Sequence, residues 1–162
     1  MSRAYFRGKQ YEQLFMELTG ATPRRPDQSD RDHIDCNLSG RTVDVKGMRR
    51  SHRNGFVLVE FTNVEGKTGW CHPDSGAELL AFLFDEGFYV VCMMDLYEAS
   101  KALVTKHNGN TKVLRENGVR AKDGLYKLVG RTPYKGTDRK DVFTYITKRD
   151  LLSIGHTLYE LE

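Results

Sequence analysis

Residues 34–46, "IDCNLSGRTVDVK", decide how this chain is read. Side chains on a strand alternate between its two faces. Before the Ser39-Gly40 pair, Ile34, Cys36 and Leu38 share one face; after it, Val43 and Val45 do the same. A two-residue loop at Ser39-Gly40 pairs Cys36 with Val43 and Ile34 with Val45, so the apolar faces coincide. A slip of one residue would oppose them and bury charge. This register sets Asp35 across from Asp44 and His33 across from Lys46. Asp35, Asp44 and Lys46 then converge on one face.

The flanking segments extend the pattern in both directions. Upstream, Tyr11, Leu14, Phe15 and Leu18 recur at helical spacing and Gly20 is a stop signal. "ATPRRPDQSDRD" then reads as a loop. Downstream, the basic loop "GMRRSHRNG" leads into "FVLVEFTN", a near-continuous apolar run typical of a central strand. "GKTGW" suggests a turn and a short strand. "DSGAELLAFLF" reads as a helix capped by Asp74 or Ser75, "GFYVVCM" as a buried strand and "DLYEASKALVTK" as a helix capped by Asp95. The stretch "HNGNTKVLRENGVRAKDG" is polar and irregular. "LYKLVG" and "DVFTYIT" read as strands around the basic loop "RTPYKGTDRK", and "KRDLLSIG" as a short helix. The expectation is one mixed α/β domain over residues 1–162. Its central sheet contains a three-strand antiparallel meander flanked by helices, with a basic C-terminal extension of the sheet at about 107–155.

Composition narrows the function classes. At 162 residues and 39% hydrophobic content the chain is long enough for a real core, and no apolar run reaches the length of a membrane span. "MSRAYFRGKQ" lacks the apolar core of a signal peptide, so a cytoplasmic location without membrane attachment is expected. Cys36, Cys71 and Cys92 are scattered and odd in number, which does not suit a disulfide framework. The net charge is +3, but residues 101–150 hold 13 basic and 5 acidic side chains, a local +8 that offers a footprint for a polyanion.

Two carboxylates on adjacent strands offer hard oxygen ligands for Mg²⁺, with Mn²⁺ as a substitute. Lys46 on the same face could position an attacking water or neutralise charge on a phosphate. Glu60 stands alone in "FVLVEFTN", where an unpaired buried carboxylate would be costly and a metal or Lys46 would offset the cost. The first helix offers Glu12 and Glu17 as a further ligand, and Glu17 joins Asp35, Asp44 and Glu60 in the expected metal set. His33, Cys36, Cys71 and His72 are poorly spaced for one zinc tetrahedron. Trp70 reads as a core aromatic. Arg49, Arg50 and Arg53 follow the Asp44 strand, and Lys135, Arg139 and Lys140 with Tyr134 form a second basic loop. Such groups position a nucleic-acid backbone without reading its sequence.

Asp35, then Asp44-Val45-Lys46, resembles the signature of the PD-(D/E)XK nucleases, the restriction-endonuclease-like superfamily. The leading helix, the hairpin with matched faces and the following apolar strand strengthen the likeness. "VLVEFTNVEGKTGW", "GFYVVCMMDLYEA" and "TPYKGTDRKDVFTYITKRDLL" are similar to small phage-encoded members, and the resemblance spans most of the chain, residues 107–122 excepted. It implies a restriction-endonuclease-like core and Mg²⁺-dependent hydrolysis of DNA phosphodiester bonds leaving 5′-phosphate ends, with endonuclease favoured over exonuclease. Asp35 and Asp44 would be the metal ligands and Lys46 the catalytic lysine. The proline that precedes the first acid in the family's name is replaced by Ile34, which leaves Asp32 as a rival first ligand. The resemblance points to a phage or its host, hence host cytoplasm, and leans to a homodimer. The alternative is a catalytically silent nucleic-acid-binding protein on the same scaffold.

Overall fold

The computed structural model describes residues 3–29, 32–62, 68–107, 124–131 and 141–162. Its elements in chain order are α1 (Arg3–Thr19), β1 (Thr22–Pro23), β2 (Cys36–Leu38), β3 (Arg41–Lys46), α2 (Arg50–Arg53) and β4 (Phe56–Thr62). They continue with β5 (Leu79–Phe84), β6 (Gly87–Cys92), α3 (Met93–His107), β7 (Val129–Arg131), β8 (Asp141–Thr147), α4 (Lys148–Leu152) and β9 (His156–Glu160). The chain divides into two compact units. One holds Met1–Asn54, Ser75–Met93 and Gly155–Glu162; the other holds Gly55–Asp74 and Met94–Ile154.

The first unit is built on a mixed six-stranded sheet of order β1-β2-β3-β5-β6-β9. The β2–β3 hairpin has the expected register, with Cys36 opposite Val43. Ser39 and Gly40 both take positive φ, 51° and 81°, the geometry that a two-residue hairpin turn needs to match strand twist. β3 pairs in parallel with β5, Asp44 lying opposite Leu80 and Lys46 opposite Phe82. β5 returns antiparallel through β6 to β9. Val43, Leu79, Ala81, Leu83, Phe88 and Val90 form one face of this sheet, and Phe15 of α1 fills it with Leu14 and Leu18 alongside. Phe15 is fully buried and meets Phe88 edge-on at 5.1 Å between ring centroids. Thus the apolar stripe of α1 covers the Val43 face. α1 ends where expected, at Gly20, whose φ of 78° suits glycine.

The opposite face carries the side chains of alternate parity, among them Phe82 and Phe84 of β5. His52 of α2 stacks on Phe84 at 4.8 Å and meets Phe82 edge-on at 6.1 Å. Its Nδ1 lies 2.8 Å from the Leu83 carbonyl. A carbonyl only accepts, so the neutral ring carries its proton on Nδ1.

The second unit contains a three-stranded antiparallel sheet of order β4-β8-β7. Val57, Val59, Phe61 and Ile146 are buried in it, and Trp70 is buried as a core aromatic. α4 opens with a capping box. The Asp150 amide donates to Thr147 Oγ1 at 3.0 Å, and the Thr147 amide to Asp150 Oδ2 at 2.9 Å. The Tyr126 hydroxyl also donates to Asp150.

Four expectations are corrected. β4 does not complete an antiparallel meander with β2 and β3; it pairs with β8 in the other sheet. Its burial alternates rather than running continuous, as suits a strand with one packed face. "DSGAELLAFLF" holds no helix: Leu79–Phe84 is the strand β5, buried at every position between β3 and β6. Its leucines and alanine are good helix formers, but two-sided burial in a sheet overrode that preference. β9 was not anticipated, and β7 and β8 extend the β4 sheet rather than the six-stranded one.

Gly47, directly after Lys46, is required by a close approach: a Cβ there would overlap the Tyr11 ring of α1. Gly47→Ala is expected to cost about 1–3 kcal/mol of stability through overpacking, read by urea denaturation. An unchanged midpoint would contradict this packing.

Candidate active site

The Asp44-Val45-Lys46 strand end lies in the first unit, where three acids and two lysines meet. Asp44 is 4% exposed, because β3 is flanked by β2 on one side and β5 on the other. Lys46, two residues on and therefore on the same face, brings Nζ to 3.0 Å from Asp44 Oδ2. That oxygen is buried and receives no well-oriented hydrogen bond. The Lys46 ion pair is thus its stabilising contact, and the geometry leaves acceptor capacity for a cation.

Asp35 reaches the site by a route different from the expected one. The β2 ladder stops at Cys36, because Ser29 takes the Ile34 amide at 3.2 Å and Arg24 takes the Ile34 carbonyl at 3.0 Å. His33 lies in a left-handed turn with φ 61°, not across from Lys46. The Asp35 amide donates to the Val43 carbonyl at 2.8 Å, and Asp35 Oδ2 accepts from the Val45 amide at 2.7 Å. The carboxylate is thereby pinned to the strand that carries Asp44 and Lys46. Asp32, the rival, is instead in a turn, where its Oδ2 accepts from Ser29 Oγ at 2.9 Å.

The first helix contributes Glu12. It is half-buried, with Lys9 Nζ at 3.1 Å from its Oε2. Its pKa is raised by burial first, then by the neighbouring Asp35 charge, against the lowering effect of Lys9. Glu17 is exposed and accepts from Gln13 at 3.2 Å, away from this group. Asp44 is pushed up to about 7: burial is the main cause, Asp35 adds to it, and Lys46 opposes it. Burial likewise pushes the Cys36 thiol up to about 12, with Asp35, Glu12 and Asp44 adding to it. Cys36 is fully buried, a packed core thiol and no nucleophile.

The carboxylates run as a chain, Glu12 beside Asp35 and Asp35 beside Asp44. Among the described residues no cluster of three or more His, Cys, Asp or Glu side chains closes into a ready metal cage. Asp35 and Asp44 nonetheless fit a hard divalent cation, which is commonly held by one or two carboxylates with water and phosphate completing the shell. Like charges held close in a buried place, with the Asp35 charge helping to raise the pKa of both Glu12 and Asp44, are what such a cation would relieve.

Arg49, Arg50 and Arg53 are exposed on and beside α2, which follows the Asp44 strand. His52 anchors that helix beneath them. Its part was hidden in what reads as a basic loop, since four residues are too few to show a helical period. Glu60 lies in the second unit on β4, half-buried, so the premise that it is a deeply buried lone carboxylate does not hold. Lys135, Arg139 and Lys140, with Tyr134, fall outside the described residues. A groove of about 350 Å³ in the first unit is lined by Leu38, Arg41, Cys92, Thr157 and Tyr159, and includes none of the acids above. No helix among the described residues is long and apolar enough to cross a membrane. Comparison of the chain with family models, curated proteins and solved structures returns no match.

Proposed function

We propose that this chain is a Mg²⁺-dependent nuclease of the PD-(D/E)XK kind, hydrolysing DNA phosphodiester bonds at the end of β3. The single observation that carries the reading is the Lys46–Asp44 pair at 3.0 Å beside Asp35, on a strand buried between two others. A salt bridge in such a place is weak evidence of stabilisation, since desolvation consumes most of its attraction. Chemistry is the better reason for keeping an ammonium and clustered carboxylates there.

Asp35 and Asp44 would hold the metal, with Glu12 beside them. The metal, when bound, would supply charge stabilisation on the phosphate and lower the pKa of a bound water. Lys46 is rigidly placed by its ion pair, 13% exposed along its side chain, and presents a fixed positive charge to phosphate oxygen and attacking water. Asp35, held by the Val45 amide, needs no reorganisation to present its second oxygen. Arg49, Arg50 and Arg53 supply backbone phosphate contacts that set the position of the strand being cut. The expected products carry 5′-phosphate ends.

Binding of a cation to the native state alone raises apparent stability. Mg²⁺ and Mn²⁺ are therefore expected to raise the Tm of the wild-type chain, and Ca²⁺-free EDTA to return it. The double variant Asp35→Asn/Asp44→Asn should show no such rise. Equal shifts in both proteins would contradict a metal at these acids.

A further inference from the structure

The two edges of the six-stranded sheet are unlike. β1 is two residues long and contains Pro23, which has no amide to donate, so that edge is blocked. β9 is five residues, His156–Glu160, with β6 as its sole strand neighbour among the described residues. It holds no proline, no lysine and no bulge, and its one charged side chain is Glu160 at its end. His156, Thr157 and Glu160 are exposed.

The direction of its main-chain groups follows from the ladder. The Leu161 amide donates to the Glu86 carbonyl at 3.0 Å, continuing a register that has Glu160 opposite Gly87 and Leu158 opposite Tyr89. Alternation in an antiparallel pair then turns the N–H and C=O of Leu158 and Glu160 away from β6, and His156 has the same parity. The strand is also complementary to itself. Laid antiparallel about Leu158, it sets Leu158 against Leu158, Thr157 against Tyr159 and His156 against Glu160, twice by symmetry. An imidazole opposite a carboxylate is a favourable cross-strand pair, and a strand meeting its own copy makes a closed two-fold interface.

We propose that β9 is the edge by which two copies of this chain join, antiparallel about a two-fold axis at Leu158, running their six-stranded sheets into one.

The test is sedimentation of the full chain over a wide concentration series. The wild type is expected at twice the monomer mass at high concentration, dissociating on dilution. Leu158→Pro removes an amide that β6 does not use, so the sheet survives while the dissociation constant rises at least about tenfold. Its circular dichroism and Tm check that it has folded. Glu160→Lys should weaken association about three- to tenfold, and His156→Glu/Glu160→Lys, which restores opposite charges across the axis, should recover it. A wild type at monomer mass throughout would overturn the proposal, as would a folded Leu158→Pro that associates like wild type. If Leu158→Pro does not fold, the charge variants decide. Loss followed by recovery supports the interface, and an unmoved constant overturns it.

Discussion

Asp44→Ala and Lys46→Ala are each expected to lower Mg²⁺-dependent DNA cleavage by about a hundred- to thousandfold or more, the usual effect of losing a preorganised charge at a reacting phosphate. DNA retention in a gel shift should change little, because Arg49, Arg50 and Arg53 are exposed and independent of the pair. Stability separates this outcome from simple unfolding. Asp44→Ala leaves the buried Lys46 charge without its partner 3.0 Å away, and Lys46→Ala removes what favours the Asp44 carboxylate, which then takes up a proton or stays unpaired; both are destabilising. The double variant Asp44→Asn/Lys46→Met removes both charges at similar volume. It is expected to match or exceed wild-type stability while remaining inactive, since a buried pair replaced by neutral groups is often neutral or stabilising. An active double variant would remove both residues from the chemistry.

Acid should loosen the platform that carries the arginines. His52 is 4% exposed, and burial lowers its pKa from 6.5 to about 4, opposed in part by its bond to Leu83. The folded pKa lies below the unfolded one, so below pH 6.5 the unfolded chain binds a proton that the folded chain refuses. The associated stability is complete above that pH and is lost progressively as pH falls from 6.5 towards 4. Over that window the loss is about 3 kcal/mol, from roughly 1.4 kcal/mol per pKa unit. Urea denaturation at neutral, mildly acid and acid pH, on wild type beside His52→Gln, isolates the effect because other titrating groups are common to both. Parallel pH profiles would show that His52 does not carry it. Since the ring bonds Leu83 and stacks on Phe84, α2 should detach from β5 as the ring gains its proton.

How much of this was legible in the sequence depends on the range of the interaction. The hairpin was legible because both strands lie within one short stretch and matched apolar faces admit one register. α1 and its glycine stop followed from periodicity in the same way, whereas α3 was read from a cap at Asp95 and in fact begins at Met93, with Asp95 in its first turn. β5 was not, since "LLAFLF" has no period and becomes a strand only between β3 and β6. The six-residue length, ended by a turn before Gly87, was the available hint. Asp44 could be placed with Lys46 by parity, but its burial depends on that same parallel pairing with β5. The choice between Glu12 and Glu17 was open for a geometric reason. At 3.6 residues per turn they flank the Tyr11–Leu18 stripe at similar angles on opposite sides. Which flank meets Asp35 is decided by how α1 lies on the sheet.

The most direct measurement is cleavage of supercoiled plasmid, linear duplex and a synthetic four-way junction by the purified chain, each with Mg²⁺, Mn²⁺ or EDTA, beside Asp44→Ala. The nuclease reading expects at least one substrate to be cut with either metal, left intact in EDTA and left intact by the variant. Substrates that stay whole under every metal condition, while gel shifts persist, would contradict it and make the chain a nucleic-acid binder on a silent scaffold.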